Sequence, residues 1–164
     1  IGHLNQIKRR DLLLDAWKYV SEKNPGWELV IVGDGELKIE IQNQISNLGL
    51  QNSVTLVKQS HHIVDYYMNA SVFVLSSELE SFSLVLLEAK VCGLPCVSFN
   101  VIAGPGELIN DKQDGFLVNF PDTKTMAEKI NLLIEDTDLR NKFGQAGRID
   151  AINRFSPEKI ASLW

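Results

Sequence analysis

The sequence predicts an α/β fold in which helices cover both faces of a parallel sheet. Three observations lead to this prediction. Short apolar segments of strand length alternate with helical segments along all 164 residues, as expected of βαβ units. The strands are mostly apolar, which is typical of strands buried on both faces. The composition, 45% apolar and 23% charged, is that of a globular protein, and the length suits one domain over residues 1–164.

The first half of the chain supplies three helices and two strands. A helix is predicted at 8–23, and the sequence Asn-Pro-Gly ends it. One face of this helix carries Leu12, Leu13, Ala16, Trp17 and Val20. The apolar run 27–32 is a strand, and residues 36–48 form a second amphipathic helix that ends at Gly49. A short strand at 54–57 and a short helix at 62–69 follow.

The second half continues the alternation. Strands are predicted at 72–75, 95–99 and 115–118, with a helix at 84–92 and a helical turn at 106–110 between them. Three consecutive helices, 123–135, 138–154 and 157–164, complete the chain. The second of these begins at Thr137 or Asp138, and Ser156-Pro157 begins the third.

Parallel sheets bind ligands at the carboxyl ends of their strands, so the loops that follow strands are the candidate binding loops. Five segments should therefore meet at one rim: 2–8, 33–38, 58–62, 76–83 and 100–106.

The predicted helix 84–92 contains a single carboxylate, that of Glu88. This helix is apolar on nearly all sides, which predicts burial between layers, and Glu88 lies in its middle. A buried carboxylate is costly unless a partner compensates it, so Glu88 has either a protein partner or a ligand. Lys90, two residues later, is a sign that the helix faces solvent in part.

An anion site is predicted where this helix begins. Ser81 or Ser83 can cap it, which leaves backbone N–H groups and the positive end of the helix dipole for an anion, most naturally a phosphate. Glu80 lies directly before the helix. It either stabilises the dipole or accepts hydrogen bonds from hydroxyl groups of a ligand linked to that phosphate.

Two further segments on the rim leave alternatives open. The adjacent cations Lys8, Arg9 and Arg10 are either a solvated basic patch or a source of one side chain for the anion. Gly33-Asp34-Gly35 forms either a simple turn or a ligand-facing loop. It matches a dinucleotide fingerprint poorly, because the third glycine and a following acid are missing, and this argues against a nicotinamide cofactor.

Other classes of function are disfavoured. The net charge of −5, with both signs interspersed, argues against nucleic acid. No apolar run approaches the roughly 18 residues of a membrane span. Cys92 and Cys96 cannot complete a zinc site alone and are expected to be buried, reduced thiols. The first four residues, Ile-Gly-His-Leu, resemble the end of a strand, from which we expect a longer natural protein.

Several motifs then carry a family resemblance. Glu80 and Glu88 enclose Ser-Phe-Ser-Leu-Val-Leu-Leu, and Gly-Leu-Pro-Cys-Val follows from position 93. The opening Gly-His-Leu with Lys8, the Gly-Asp-Gly loop and the segments from 104 and 115 add further matches. Together they resemble the C-terminal, donor-binding domain of retaining glycosyltransferases of family 4 (glycosyl transferases group 1). The fold implied is the Rossmann-like C-terminal half of a GT-B enzyme.

The resemblance implies a role for each motif residue. Glu80 would contact donor sugar hydroxyls and Lys8 would neutralise the departing diphosphate, and these two are the implied catalytic residues. Glu88 would accept hydrogen bonds from the ribose. Further contacts to the nucleotide-diphosphate sugar, most naturally a UDP-sugar, are expected from His3, Gly33, Lys58, Gln59, Phe82, Ser83 and Leu84. Neither a cofactor nor a metal ion is expected.

The acceptor would be a saccharide or a lipid-linked molecule held by an N-terminal domain outside this sequence. The setting implied is polysaccharide or glycoconjugate synthesis in the cytoplasm, with peripheral association of the full-length protein at the inner membrane face. This chain alone should be inactive. His3 replaces the arginine usual in the family, which favours an alternative, a non-catalytic nucleotide-sugar-binding module. A nucleotide-sugar epimerase of the same fold is the other alternative.

Overall fold

The computed structural model describes residues 1–58 and 62–161. In these ranges the strands are Leu29–Val32 (β1), Val54–Val57 (β2), Phe73–Leu75 (β3), Cys96–Asn100 (β4) and Gly115–Asn119 (β5). A 3-10 turn at Gln6–Lys8 precedes the helices, which are Arg10–Lys23 (α1), Lys38–Asn47 (α2), Ile63–Asn69 (α3), Leu84–Val91 (α4), Pro105–Leu108 (α5), Thr123–Glu135 (α6), Thr137–Phe155 (α7) and Pro157–Ala161 (α8).

The alternation of strands and helices is confirmed, and the differences in the helix ends have local causes. Helix α1 begins at Arg10 because Arg9 has left-handed backbone angles (φ 45°, ψ 50°), which interrupt the helical path after the 3-10 turn. Helix α7 is capped by Asp136, whose side chain accepts the Leu139 N–H, and not by Thr137 or Asp138 as predicted. The end of the last predicted helix, residues 162–164, lies outside the described residues.

The strands form two parallel sheets, where the sequence had suggested a single sheet. One has the order β1-β2 and the other β3-β4-β5. All pairings are parallel, with Leu29 opposite Val54 and Phe73 opposite Cys96. Strands β1 and β3 do not pair with each other, and a cleft of about 600 Å³ lies between them, lined by residues of both strands.

Helices cover both faces, as predicted. Alternate residues of β4 face opposite ways, so that Cys96 belongs to one apolar cluster and Val97 to the other. The cluster with Val97 contains residues of α1, α2 and α6, and the cluster with Cys96 contains residues of α3, α4 and α5. The loops predicted to bind a ligand follow the carboxyl ends of β1, β3 and β4.

Candidate active site

The opening segment lies against the loop that follows β1. The N–H of Gly2 donates to the Val32 carbonyl at 2.9 Å, and the N–H of Leu4 donates to the Asp34 carbonyl at 3.0 Å. Between these two bonds the backbones are so close that a Cβ on Gly33 would stand 2.0 Å from the Gly2 carbonyl oxygen. Only glycine fits at position 33, and this contact brings two of the predicted rim loops together.

An ion pair joins the first loop to the segment before α4. Asn5 accepts the Lys8 N–H at the start of the 3-10 turn, which directs the following chain toward the end of β3. There the Lys8 Nζ donates to the Glu80 Oε1 at 2.8 Å, and only 9% of the Glu80 side chain is exposed. The Ser76 hydroxyl fixes the same loop by donating to the Lys8 carbonyl at 2.8 Å. The two residues expected to be catalytic are therefore in direct contact.

Arg9 has several partners of its own. Its guanidinium contacts the carboxylates of Asp11 at 2.8 Å and Glu78 at 3.0 Å, and it stacks over the ring of Phe120. The pKa of Arg9 is raised, chiefly by its hydrogen bond to Asp11. A second backbone link between the two loops runs from the Glu78 N–H to the Ile7 carbonyl at 2.9 Å. Arg9 thus holds the loops together.

The first turn of α4 has the character of an anion site. Ser83 is the N-cap residue, but its side chain makes no capping bond, and its buried Oγ has no hydrogen-bond partner among the described residues. The first N–H groups of a helix have no acceptor within the helix, and no acidic residue occupies this turn. The buried Oγ of Ser77 likewise lacks a partner in the described part of the chain. The backbone N–H groups of the first turn of α4 therefore remain available to a ligand.

The residues around this helix start have different exposures. Phe82 is exposed and packs edge-on against Phe155, with ring centroids 5.5 Å apart. Leu84 is 64% exposed. Gly104, with φ 76°, lies so close that a Cβ there would stand 2.9 Å from the Ser81 carbonyl oxygen. The loop after β4 thereby reaches the start of α4, as predicted for the rim.

Glu88 is exposed, contrary to the buried position expected for it. It lies four residues after Leu84 on α4, just over one helical turn. Its carboxylate accepts a 2.7 Å hydrogen bond from the Tyr67 hydroxyl. Burial, and then the charge and hydrogen bond of Glu88, raise the pKa of Tyr67. A neutral Tyr67 therefore holds the carboxylate in one orientation and leaves its second oxygen to a ligand.

The buried charge of α4 is Lys90, which the sequence had suggested to be a solvent-facing residue. Lys90 is fully buried and donates to the Asp114 carboxylate at 3.0 Å, to the Asp150 carboxylate at 2.8 Å and to the carbonyl of Leu108. Asp114 also accepts the N–H of Asn110 at 2.9 Å. Partial burial opposes ionisation of Asp150, but the Lys90 bond and charge hold its pKa below the usual range. This cluster ties α4 to α5, α7 and the turn before β5.

Arg10 is also buried, at 3% exposure. Its guanidinium donates to the Ser76 Oγ and to the Ile1 carbonyl, both at 3.2 Å, while its Nε has no hydrogen-bond partner among the described residues. Burial lowers the pKa of Arg10 to about 10, and the charge of Glu80 opposes that shift. Sequence patterns did not separate Arg10 from its two basic neighbours.

The other three predicted site residues are His3, Lys58 and Gln59. His3 is exposed, and its Nε2 lies 2.9 Å from the Glu36 carboxylate. Lys58 is exposed at the end of β2, where its charge helps to lower the pKa of Asp34, after a backbone hydrogen bond and Lys38. Gln59 lies outside the described residues.

Residues 1–58 and 62–161 contain neither a candidate metal centre nor a helix that could span a membrane. No group of three or more His, Cys, Asp or Glu side chains there could hold a metal ion. The thiols Cys92 and Cys96 are unpaired with each other, and burial raises the pKa of Cys96. In the same ranges, every helix is too short or too polar to span a bilayer.

Comparison with known proteins gives consistent matches. The family model described as glycosyl transferases group 1 matches residues 1–150. The amylovoran biosynthesis glycosyltransferase AmsD of Erwinia amylovora is 36% identical over all 164 residues, which correspond to 45% of that protein. The chain thus spans about half the length, or less, of the curated relatives it matches.

Solved structures match the backbone closely. A mutant of Staphylococcus aureus TarM, in complex with fondaparinux, α-GlcNAc-glycerol and UDP, superposes with a TM-score of 0.95 at 28% identity, covering 99% of this chain and 34% of that one. The C-terminal domain of LpcC, a glycosyl transferase group 1 protein of Francisella tularensis, gives a TM-score of 0.85 at 26% identity, covering 94% and 83%. The rim described above therefore lies in a domain that has known counterparts.

Proposed function

Because the chain belongs to the glycosyl transferases group 1 family, we propose that it is the donor-binding domain of a retaining glycosyltransferase that uses a UDP-linked sugar. The predicted family and the predicted fold, the C-terminal half of a GT-B enzyme, are both confirmed. The choice of UDP is supported by the UDP complex of the TarM mutant. Polysaccharide or glycoconjugate synthesis is supported by the similarity to the amylovoran enzyme.

One observation carries the proposal: the Lys8–Glu80 pair stands at the open start of α4. A sugar nucleotide places its diphosphate next to its sugar. Lys8 and the backbone N–H groups of Phe82, Ser83 and Leu84 meet the diphosphate, and Glu80 accepts hydrogen bonds from sugar hydroxyls. Each residue then performs chemistry suited to its charge.

The proposed reaction is a sugar transfer without a protein nucleophile. The bond between the anomeric carbon and the diphosphate oxygen breaks, and the acceptor hydroxyl oxygen bonds to the same carbon from the same face. The acceptor proton passes to the donor phosphate as it leaves. Lys8 and the α4 dipole stabilise the negative charge that grows on the diphosphate. The proposal assigns this stabilisation to protein groups, without a metal ion or cofactor.

The nucleoside is assigned to the other side of the rim. Glu88, oriented by Tyr67, accepts hydrogen bonds from the ribose hydroxyls. Gly33 acts here by letting the opening segment pack against the loop after β1, and Lys58 with Gln59 borders the base. The sugar acceptor, a saccharide or a lipid-linked molecule, belongs to the rest of a longer protein, since relatives extend beyond the matched region. The cytoplasm, at the inner membrane face, is the setting that we propose.

Replacing Glu88 by alanine should weaken UDP binding roughly tenfold, because a hydrogen bond to a charged group contributes on that order. Isothermal titration of the full-length protein with UDP measures the change. Glu128→Ala is the matched control, since Glu128 is an exposed acid on α6. Equal UDP affinity in wild type and Glu88→Ala would remove the ribose role of Glu88. Absence of UDP binding by wild-type protein would overturn the proposed donor.

A specific observation supports one alternative, a non-catalytic nucleotide-sugar-binding module. His3 stands where the family usually has arginine, and its ring bonds to Glu36, so one cation expected at the phosphates is missing from that position. A module of this kind would bind UDP without turnover. Release of UDP from a UDP-sugar by the full-length protein, with and without acceptor, distinguishes the two functions.

A further inference from the structure

Glu88 has few neighbours that could fix the position of its carboxylate. Its side chain is exposed on α4, and the positions three and four residues away on that helix carry no charge. These positions are Leu84, Val85, Val91 and Cys92. Within residues 1–58 and 62–161, the carboxylate has one hydrogen-bond partner, the Tyr67 hydroxyl at 2.7 Å. The orientation of Glu88 in the free protein therefore depends on Tyr67.

Tyr67 is itself fixed in place by packing. Only 2% of it is exposed, and it belongs to the same apolar cluster as Leu86 and Ala89 of α4. The ring centroid of Phe73, on β3, lies 6.0 Å from that of Tyr67. Because side chains in such a core are closely packed, the hydroxyl reaches Glu88 from a fixed point.

The Tyr67 hydroxyl has one proton and two possible acceptors. The Glu88 Oε2 lies 2.7 Å away, and the Val85 carbonyl oxygen lies 3.2 Å away. The carboxylate takes the proton, because hydrogen bonds to charged oxygens are shorter and stronger than those to neutral ones. Burial, and then the hydrogen bond and charge of Glu88, raise the pKa of Tyr67. The hydroxyl therefore stays protonated and remains a donor to Glu88.

This geometry leaves one carboxylate oxygen for a ligand. Tyr67 engages Oε2 of Glu88, whereas Oε1 has two lone pairs that can accept from two hydroxyls. A ribose carries two hydroxyls on neighbouring carbons, and a 2′-deoxyribose carries only one of them. The sugar ring holds the two ribose hydroxyls at a fixed spacing. A carboxylate already held in one orientation can accept from both without losing further side-chain freedom.

We propose that Tyr67 is a positioning residue that makes the donor site prefer a ribonucleoside diphosphate over its 2′-deoxy counterpart, by holding Glu88 toward the ribose diol. This inference rests on the proposed function and extends it to a residue that touches neither the substrate nor the reacting atoms. It also narrows the donor class: sugars carried on uridine diphosphate suit the site, and sugars carried on deoxythymidine diphosphate do not.

The test is calorimetric titration of the full-length protein with UDP, 2′-deoxyuridine diphosphate and inorganic pyrophosphate. Wild-type protein should bind UDP about tenfold more tightly than the deoxy compound, at the low end for a charged hydrogen bond because Glu88 is exposed. Tyr67→Phe, which keeps the buried ring, should reduce this ratio to about threefold, because Glu88 regains side-chain freedom. Pyrophosphate, which has no sugar, should bind Tyr67→Phe and wild type alike. Tyr66→Phe, a change in the neighbouring half-buried tyrosine of α3, is the matched control and should keep the wild-type ratio.

A double variant separates positioning from general support of the fold. If Tyr67 acts through Glu88, Tyr67→Phe/Glu88→Ala should bind each nucleotide as Glu88→Ala does alone, without a preference for the ribose form. A merely structural role would weaken the double variant beyond the single one and would weaken pyrophosphate as well. Both nucleotides are compared on the same variant, so a loss of stability lowers the two affinities equally and leaves their ratio unchanged.

Three results would overturn the inference. An unchanged ratio in Tyr67→Phe removes the role of Tyr67. An equal loss of UDP and pyrophosphate affinity in that variant indicates damage to the fold. Wild-type protein that binds UDP and its deoxy form equally defeats the inference and leaves donor binding in place, whereas wild-type protein that binds neither UDP nor pyrophosphate defeats the proposed function as well.

Discussion

Lys8→Met in the full-length enzyme should lower kcat by about 10²–10³-fold, with a smaller change in the affinity for UDP. The reason is that Lys8 meets charge that grows on the diphosphate during bond cleavage, and a single stabilising group of this kind contributes on that order to the rate. The measurement is steady-state release of UDP from a UDP-sugar in the presence of acceptor. The Lys8 Nζ already lies 2.8 Å from Glu80, so the site is organised before the donor arrives.

The control must separate lost chemistry from a damaged site. Lys8→Met leaves Glu80 largely buried without its partner, so the double variant Lys8→Met/Glu80→Gln removes that charge as well. If Lys8 acts on the leaving group, the double variant stays as slow as the single one or becomes slower. The matched control is Lys18→Met. Lys18 lies in the middle of α1, and this variant should keep the kcat of the wild type. A kcat within about threefold of wild type for Lys8→Met, far from the expected loss, excludes the assigned role.

Lys90→Met should lower the free energy of unfolding by about 3–5 kcal/mol, which is the usual cost of removing one partner from a buried ion pair. Asp114, which is almost fully buried, loses its cation, whereas Asp150 keeps Arg154 at 3.2 Å. Methionine fills a similar volume, so the effect reports charge and not a cavity. The urea midpoint of the transition that unfolds this domain is the measurement.

Neutralising Asp114, which Lys90→Met leaves without its cation, should restore part of the lost free energy of unfolding. Asp114→Asn in the Lys90→Met background removes one uncompensated charge while keeping a polar side chain beside Asn110. Lys112→Met, whose side chain is 76% exposed and 3.7 Å from Asp111, should change stability by less than about 0.5 kcal/mol. If Lys90→Met had the stability of the wild type, the ion pairs of Lys90 would contribute nothing to the free energy of unfolding.

Helix α4 shows where sequence patterns suffice and where they do not. Its position after β3 and its open first turn follow from local residue types, and both were predictable. Glu88 and Lys90 are two positions apart, about 200° around the helix axis, so they face different sides. Which of them is buried depends on Asp114 and Asp150, far along the chain, and local patterns do not contain that information.

The basic segment Lys8-Arg9-Arg10 shows the same limit for three consecutive residues. A continuous helix from position 8 would have placed Lys8, Arg9 and Arg10 on successive faces. The left-handed conformation of Arg9 shifts the helix start by two residues, which sends Lys8 to the rim, Arg9 outward and Arg10 into the interior. A non-glycine residue with positive φ is uncommon, and no residue type at this position signals it.

Strand positions were predictable, but the division into two sheets was not. The apolar runs that form β1 and β3 look alike in sequence, and each has a partner on one side only. Pairing between strands depends on residues that are distant in the chain. The apolar composition of a strand indicates that it is buried, but it does not indicate which other strand pairs with it.

The cleft between β1 and β3 has a consequence for how the domain behaves when handled alone. Within the described residues each of these strands has an edge that no other strand covers, and half-exposed Val30 lies on one of them. Open edges present rows of N–H and C=O groups that can recruit a strand from another molecule. In isolation, two such edges facing one apolar cleft make this domain prone to edge-to-edge self-association, a hazard that a chain segment seated between them would remove.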